Sequence, residues 1–117
     1  MKNLVLIEDD QFLQELYKEL LSQKYQLEII GDGLSALARL TSGDWDISLV
    51  DLTLPGLSGI QVLEELHKKK LKQGRVIVLT NSEDPALLTL AKKYSDGILM
   101  KSTINPNELV DKIEAFL

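Results

Sequence analysis

Five short apolar runs recur along the chain at intervals of about 20 residues, and this regular spacing constrains the fold more than any other feature. The runs cover residues 4–7, 27–30, 47–50, 76–79 and 97–100. Near-continuous apolar runs of this length are typical of β-strands that are covered on both faces, as in a parallel sheet.

Amphipathic helical patterns lie between the runs. The helix starts are marked by an Asp or Asn before a proline, at Asp84 and Asn105, and Glu108 completes a capping box with Asn105. Alternation of strands and helices predicts an α/β fold, a doubly wound five-stranded parallel sheet with helices on both faces. The apolar stripes expected to face the sheet are Phe12, Leu13, Leu16, Tyr17, Leu20 and Leu21; Leu34, Leu37, Ala38 and Leu40; Ile60, Leu63 and Leu66; Leu87, Leu88 and Ala91; and Leu109, Val110, Ile113 and Phe116.

Composition narrows the function classes. A chain of 117 residues with 44% hydrophobic and 26% charged residues fits one globular domain over residues 1–117. The absence of cysteine excludes disulfides, Cys-ligated metals and thiol nucleophiles, and a single histidine excludes a multi-His metal site. The net charge of −5 argues against direct nucleic-acid binding. Because no apolar run approaches the roughly 20 residues of a membrane span, we expect no membrane association and a cytoplasmic location.

Lysines and one arginine cluster after the third helical pattern, at Lys68, Lys69, Lys70, Lys72 and Arg75. Cations at this position suit the negative end of a helix dipole. A solvated helix end is therefore the favoured interpretation, and a basic docking patch is the alternative.

Polar and charged residues follow the apolar runs where ligands bind in an open parallel sheet, beyond the carboxyl ends of the strands. Glu8 and Asp9 follow the first run, Asp51 the third, Thr80 the fourth and Lys101 the fifth. Crowded carboxylates repel one another, and a hard divalent cation offsets that repulsion. A donor set of oxygens without cysteine favours Mg²⁺, with Mn²⁺ as the alternative, over zinc.

The same set contains the parts needed for phosphoryl transfer to an aspartate: a carboxylate nucleophile, a metal site, a lysine and a hydroxyl. Each residue alone also has a structural interpretation. Asp9 or Asp10 suits a helix N-cap, Thr80 an ordinary strand-end hydroxyl, and Lys101 a solvated lysine. Asp51 is poorly explained as a cap because no helical pattern follows it directly. The joint occurrence at four strand ends favours a functional site.

Four segments resemble the motifs of one family. Residues 4–10 read LVLIEDD, residues 46–59 read DISLVDLTLPGLSG, residues 76–80 read VIVLT, and Met100 precedes Lys101. In order and spacing they resemble the receiver domain of two-component response regulators across the whole chain. The resemblance implies the flavodoxin-like sheet order 2-1-3-4-5.

The resemblance also implies the roles of the acidic residues. Asp51 is expected to be the phosphoacceptor. Glu8, Asp9 and Asp51, together with the backbone carbonyl of Thr53, are expected to bind Mg²⁺, with Asp9 as a direct ligand.

Three further residues take roles by the same resemblance. Thr80 and Lys101 are expected to assist catalysis at the phosphoryl group. Thr53 and Ser82 occupy the positions that modulate phosphate lifetime in the family.

The implied function is a phosphorylation-dependent signalling switch that accepts a phosphoryl group from a histidine kinase or phosphotransfer protein and changes partner binding; the downstream partner is open. Such a domain is no enzyme beyond its own phosphorylation and dephosphorylation. The alternative is a receiver-like interaction module that acts without phosphorylation. A phosphatase with an aspartyl nucleophile is rejected, because its motif needs a second Asp at the position of Thr53.

Two positions depart from the family pattern. Ile98 stands where the family usually has an aromatic residue, and Ser102 stands where it usually has proline. Because a cis bond before a residue other than proline costs about 3 kcal/mol, we expect a trans Lys101–Ser102 bond.

Overall fold

A computed structural model describes residues 1–69 and 74–117, in which five strands alternate with five α-helices. The basic residues Lys70 and Lys72 lie outside the described residues. The strands are β1 (Asn3–Ile7), β2 (Gln26–Ile30), β3 (Ile47–Val50), β4 (Arg75–Thr80) and β5 (Gly97–Met100). The helices are α1 (Gln11–Leu21), α2 (Gly33–Ser42), α3 (Gly59–Lys69), α4 (Pro85–Tyr94) and α5 (Leu109–Glu114), and a 3₁₀ turn (Pro106–Glu108) precedes α5.

All strand pairs are parallel, and the sheet order is β2-β1-β3-β4-β5. Alternate residues of each strand face opposite layers, as the two-residue period of a strand requires. In β1, Val5 packs with α2, α3 and α4, whereas Leu4 packs with α1 and α5. The predicted doubly wound sheet and its order 2-1-3-4-5 are confirmed.

The helix starts follow the capping chemistry in the sequence. Asp10, Asp32 and Asp84 each accept a hydrogen bond from a backbone N–H in the first turn of α1, α2 and α4. The structural interpretation of Asp10 as a cap is therefore correct. Asn105 caps the last helical segment, but its first turn is the 3₁₀ turn, and Glu108 makes no side-chain cap bond. The Lys101–Ser102 peptide bond is trans, as expected.

The predicted buried face of α2 is partly wrong. Leu34 is 65% exposed and Ala38 is exposed, whereas Gly33 and Ala36 are buried. A side chain at Gly33 would collide with the backbone carbonyl of Leu57, so the small residues of the helix lie where the chain comes closest. The close approach of the Leu57 backbone to α2, rather than the size of the side chains, therefore determines which face of α2 is buried.

The first residue of the predicted α1 stripe is also solvent-exposed: Phe12 is 76% exposed at the start of the helix. Its neighbours in the stripe, Leu16, Tyr17 and Leu21, pack towards the sheet or α5. In the part of the chain that the structure describes, no helix combines the length and apolar character that crossing a membrane requires.

Among the described residues, Ser48 has the one fully enclosed side-chain oxygen that lacks a hydrogen-bond partner. Ser48 lies in the centre of β3, beside Val5 and Val76 in the neighbouring strands, and is fully buried. Its hydroxyl makes no hydrogen bond with any described residue. Burying an unsatisfied hydroxyl costs free energy.

We therefore predict that Ser48→Ala raises the free energy of unfolding by about 1 kcal/mol, because it removes the unsatisfied group from the core. Urea unfolding measures the change. Ser95→Ala is the matched control: Ser95 Oγ donates to the Ala91 carbonyl at 2.6 Å, so its loss should destabilise the fold instead. A loss of stability in Ser48→Ala would contradict the prediction.

Candidate functional site

Three carboxylates meet at the carboxyl edge of the sheet. Glu8 directly follows β1, Asp9 follows Glu8, and Asp51 directly follows β3. Because β1 and β3 are neighbours, with Ile7 opposite Val50, the residues that follow them are brought together. Ligand oxygens of the three side chains lie within 4.8 Å of one another. Glu8 and Asp51 are buried, whereas Asp9 is exposed at the rim.

Lys101 joins the two buried carboxylates. Its Nζ donates to Glu8 Oε1 at 2.6 Å and to Asp51 Oδ2 at 3.1 Å. Only 11% of the Lys101 side chain is exposed, and the carboxylate side chains are exposed by 2% and 9%. A charge-assisted pair with this little solvent is stronger than a surface ion pair.

Burial acts on both members of the Glu8–Lys101 pair. Desolvation raises the pKa of Glu8, and the hydrogen bond from Lys101 only partly opposes this rise. Desolvation lowers the pKa of Lys101, but its bonds and charge interactions with Glu8 and Asp51 outweigh that effect and leave the pKa above its ordinary value. Lys101 is therefore fully charged at neutral pH.

Asp51 is held at both carboxylate oxygens. Oδ2 accepts from Lys101, and Oδ1 accepts from the backbone N–H of Thr53 at 3.2 Å. The start of α3 also lies against this segment: Gly59 donates its backbone N–H to the Leu52 carbonyl, and a side chain at Gly59 would collide with the Asp51 carbonyl. Glycine is needed there for close packing.

Thr80 is buried at the end of β4 and is bonded to the following loop. Its Oγ1 accepts from the backbone N–H of Ser82 at 3.0 Å, so the hydroxyl proton remains available for a further acceptor. Ser82 Oγ in turn accepts from the N–H of Asp84, which caps α4. The backbone N–H of Lys101 donates to the Thr80 carbonyl at 2.9 Å, so the two residues lie side by side.

Sequence reasoning missed one residue next to the site. Gln14 on α1 donates Nε2–H to the backbone carbonyl of Glu8 at 2.5 Å. No motif distinguishes it, because a glutamine on a helix is ordinarily a solvated residue. Thr53, predicted as a carbonyl ligand, is exposed beside the cluster.

The donor set fits a hard divalent cation, since three carboxylates converge and no softer ligand takes part. The acidic cluster could therefore hold a metal ion. Buried Glu8 and Asp51 with exposed Asp9 give such an ion an open side towards solvent.

The family model of the response regulator receiver domain matches residues 4–114. The chain belongs to this family. Receiver domains are signalling modules of two-component systems, pair with histidine kinases or phosphotransfer proteins, and have a phosphorylation switch as their standard function.

Curated relatives agree with this assignment. The nitrate/nitrite response regulator protein NarL of Escherichia coli K12 is 30% identical over 111 residues, which cover 92% of this chain and 50% of NarL. The transcriptional regulatory protein CpxR of Klebsiella pneumoniae is 35% identical over 118 aligned positions, which cover 100% of this chain and 50% of CpxR. The chain spans about half the length of these relatives.

Solved structures share the fold. The CheY-like receiver domain protein from Methanospirillum hungatei JF-1 has a TM-score of 0.87 at 25% identity, covering 98% of this chain and 92% of that one. The Mn²⁺-bound form of response regulator Rcp1 has a TM-score of 0.85 at 29% identity, covering 99% and 94%.

The pairing of Lys101 with buried Glu8 predicts that removal of the lysine lowers the stability of the fold by an amount that depends on pH. Lys101→Met should lower the free energy of unfolding by about 3 kcal/mol near pH 7.5, because buried Glu8 is left without its cation. A carboxyl group whose pKa is raised by folding opposes folding once the pH exceeds its unfolded pKa. The loss should therefore shrink as the pH falls and Glu8 is protonated.

Urea unfolding of both proteins in EDTA at several pH values checks this prediction. Lys112→Met, which removes an exposed lysine on α5, is the control and should change stability by no more than about 0.5 kcal/mol. A loss in Lys101→Met that is the same at every pH would contradict the role given to Glu8.

Proposed function

We propose that residues 1–117 form one receiver domain that is phosphorylated on Asp51 by a phosphohistidine of a histidine kinase or phosphotransfer protein. The observation that carries the proposal is the position of Asp51, a buried carboxylate fixed by Lys101 and the Thr53 N–H within a cluster that suits a cation. The downstream partner or effector domain, which this proposal leaves open, would respond to the modified surface.

In the proposed reaction, an oxygen of the Asp51 carboxylate attacks the phosphorus atom. A P–O bond forms, the P–N bond to the imidazole breaks, and the nitrogen keeps the electron pair. In dephosphorylation, the oxygen of a water molecule attacks the same phosphorus atom, the P–O bond to Asp51 breaks, and inorganic phosphate and the Asp51 carboxylate, which keeps the electron pair, are released with the protons of the water. In this proposal the domain catalyses only these two steps on itself.

The surrounding residues orient and neutralise the reacting groups. Lys101 is charged and lies 3.1 Å from Asp51 Oδ2, so it is placed to contact a phosphoryl oxygen after transfer. Thr80 has a hydroxyl proton to donate to a phosphoryl oxygen, while its Oγ1 accepts from the Ser82 N–H, so a movement of the hydroxyl towards the phosphoryl group would strain or break that bond. That movement would change the series of hydrogen bonds that links Thr80 to Ser82 and Ser82 to Asp84, the residue that caps α4.

We propose Mg²⁺ as the resident cation, with Mn²⁺ able to replace it, held by Glu8, Asp9, Asp51 and the Thr53 carbonyl. When bound, the cation supplies positive charge that offsets the carboxylates and the transferred phosphoryl oxygens. The Mn²⁺-bound form of Rcp1, a structural neighbour, supports a divalent cation in a fold of this kind. Thr53 and Ser82 lie next to Asp51 and Thr80 and are proposed to modulate phosphate lifetime.

The acceptor assignment predicts that a small acyl-phosphate donor with Mg²⁺ adds one phosphoryl group to the protein, and that Asp51→Asn abolishes the addition because it removes the nucleophilic oxygen. Intact-protein mass spectrometry measures the product. Asp84→Asn keeps the α4 cap and should still be labelled. Equal labelling of Asp51→Asn would contradict the assignment, and an unlabelled unsubstituted protein would favour the interaction module that acts without phosphorylation.

The metal assignment predicts a stabilising response to Mg²⁺. With a dissociation constant near 1 mM, 10 mM Mg²⁺ should stabilise the fold by about 1.4 kcal/mol. For a domain of this size that is roughly 5 °C in melting temperature. Asp9→Asn should lose most of the response, because it removes a charged ligand.

Asp10→Asn is the matched control for this measurement. It removes a neighbouring carboxylate that caps α1, and asparagine caps equally well, so the Mg²⁺ response should persist. A full Mg²⁺ response in Asp9→Asn would refute its role as a ligand.

A further inference from the structure

A cavity of about 200 Å³ lies between α1, the ends of β4 and β5, and the 3₁₀ turn before α5. Its buried lining is formed by Tyr17, Leu79 and Leu109. An apolar cavity of about 150 Å³ accommodates one benzene ring, so this cavity has room for a single ring with one or two substituents. Half-buried apolar walls are added by Leu13, Leu16 and Ile104.

Tyr17 gives the cavity a polar group without a partner. The residue as a whole is 7% exposed, its hydroxyl oxygen is not fully enclosed, and that hydroxyl makes no hydrogen bond with any described residue. Burial raises the pKa of Tyr17, so the phenol stays protonated and keeps a proton to donate. The exposed side chains of Asn81 and Ser102 lie on the same lining and offer further polar atoms.

The charges beside the cavity disfavour an ionic occupant. Lys101 also lines the cavity, but its ammonium group already has Glu8 and Asp51 as partners. An anion would meet the field of those carboxylates, and an ion of either sign would lose hydration against the leucine walls.

We propose that this cavity is a binding site for a small neutral molecule that combines one hydrocarbon ring, or a short aliphatic chain of similar volume, with a hydroxyl or carbonyl oxygen. The hydrocarbon part packs against Leu13, Leu79 and Leu109, and the oxygen takes the hydrogen bond that the Tyr17 hydroxyl lacks. This site is distinct from the phosphoacceptor and binds its ligand without any phosphoryl transfer, so the proposal stands apart from the proposed function.

Phenol and toluene are matched probes because they differ in one polar group. Methyl NMR spectra of the leucine-labelled protein should show saturable shifts at Leu13, Leu79 and Leu109, with a phenol dissociation constant on the order of 1 mM. Tyr17→Phe should weaken phenol about five-fold, the value of one hydrogen bond, and leave toluene unchanged. Leu13→Trp should fill the cavity and abolish binding of both probes.

Controls separate binding in the cavity from general effects. Dispersed methyl spectra establish that each variant is folded, and Leu34→Ala, which trims an exposed leucine on α2, should bind both probes normally. The proposal is overturned by shifts that do not saturate, by shifts centred outside the cavity, or by equal loss of phenol and toluene affinity in Tyr17→Phe.

Discussion

Three carboxylates at one edge of a sheet repel one another, and the cation that offsets this repulsion is the interaction on which the site depends. In this chain Lys101 is that cation for Glu8 and Asp51, at 2.6 and 3.1 Å. The three groups are far apart in sequence and meet only because β1, β3, β4 and β5 are consecutive in the sheet. The charges of Glu8, Asp51 and Lys101 are therefore balanced against one another only in the folded chain.

The backbone around the site fixes these groups with little freedom. Asp51 donates its N–H to the Ile7 carbonyl, and Lys101 donates its N–H to the Thr80 carbonyl. Gly59 lets α3 begin against the Asp51 segment. The side chains of Asp51 and Lys101 thus extend from residues whose main chain is hydrogen-bonded to a neighbouring strand. This fixed main chain restricts the positions at which an incoming phosphoryl group can contact both side chains.

Most of the fold could be predicted from the sequence because its signals are local. The five apolar runs fall within one residue of the strand ends, and Asp84–Pro85 marks the start of α4. Glu8, Asp51 and Lys101 each directly follow an apolar run, and parallel strands end at a common edge, so their meeting there is predictable from sequence alone. Their assigned roles in phosphoryl transfer remain predictions.

What the sequence did not predict depends on packing between distant elements. The face of α2 was misassigned because the close approach of Gly33 to Leu57, 24 positions later in the chain, decides it. The contact of Gln14 with the Glu8 carbonyl and the unpartnered hydroxyl of Tyr17 have no local signal either. A glutamine or a tyrosine on an amphipathic helix gives the same pattern whether or not it faces a site.

Lys101 lines both the phosphoacceptor site and the cavity beside α1, and this shared residue has a thermodynamic consequence. Ile98 carries no ring or hydroxyl for a change of rotamer to expose, so a signal that depends on β5 needs another path. A phosphoryl group that draws Lys101 towards Asp51 would change the cavity lining next to Ser102. If a neutral ligand binds there with different affinity in the two states, linkage requires that the ligand also shift the phosphorylation equilibrium by the same factor. Ligand binding in the cavity and phosphorylation of Asp51 would then both act on the position of the Lys101 ammonium group.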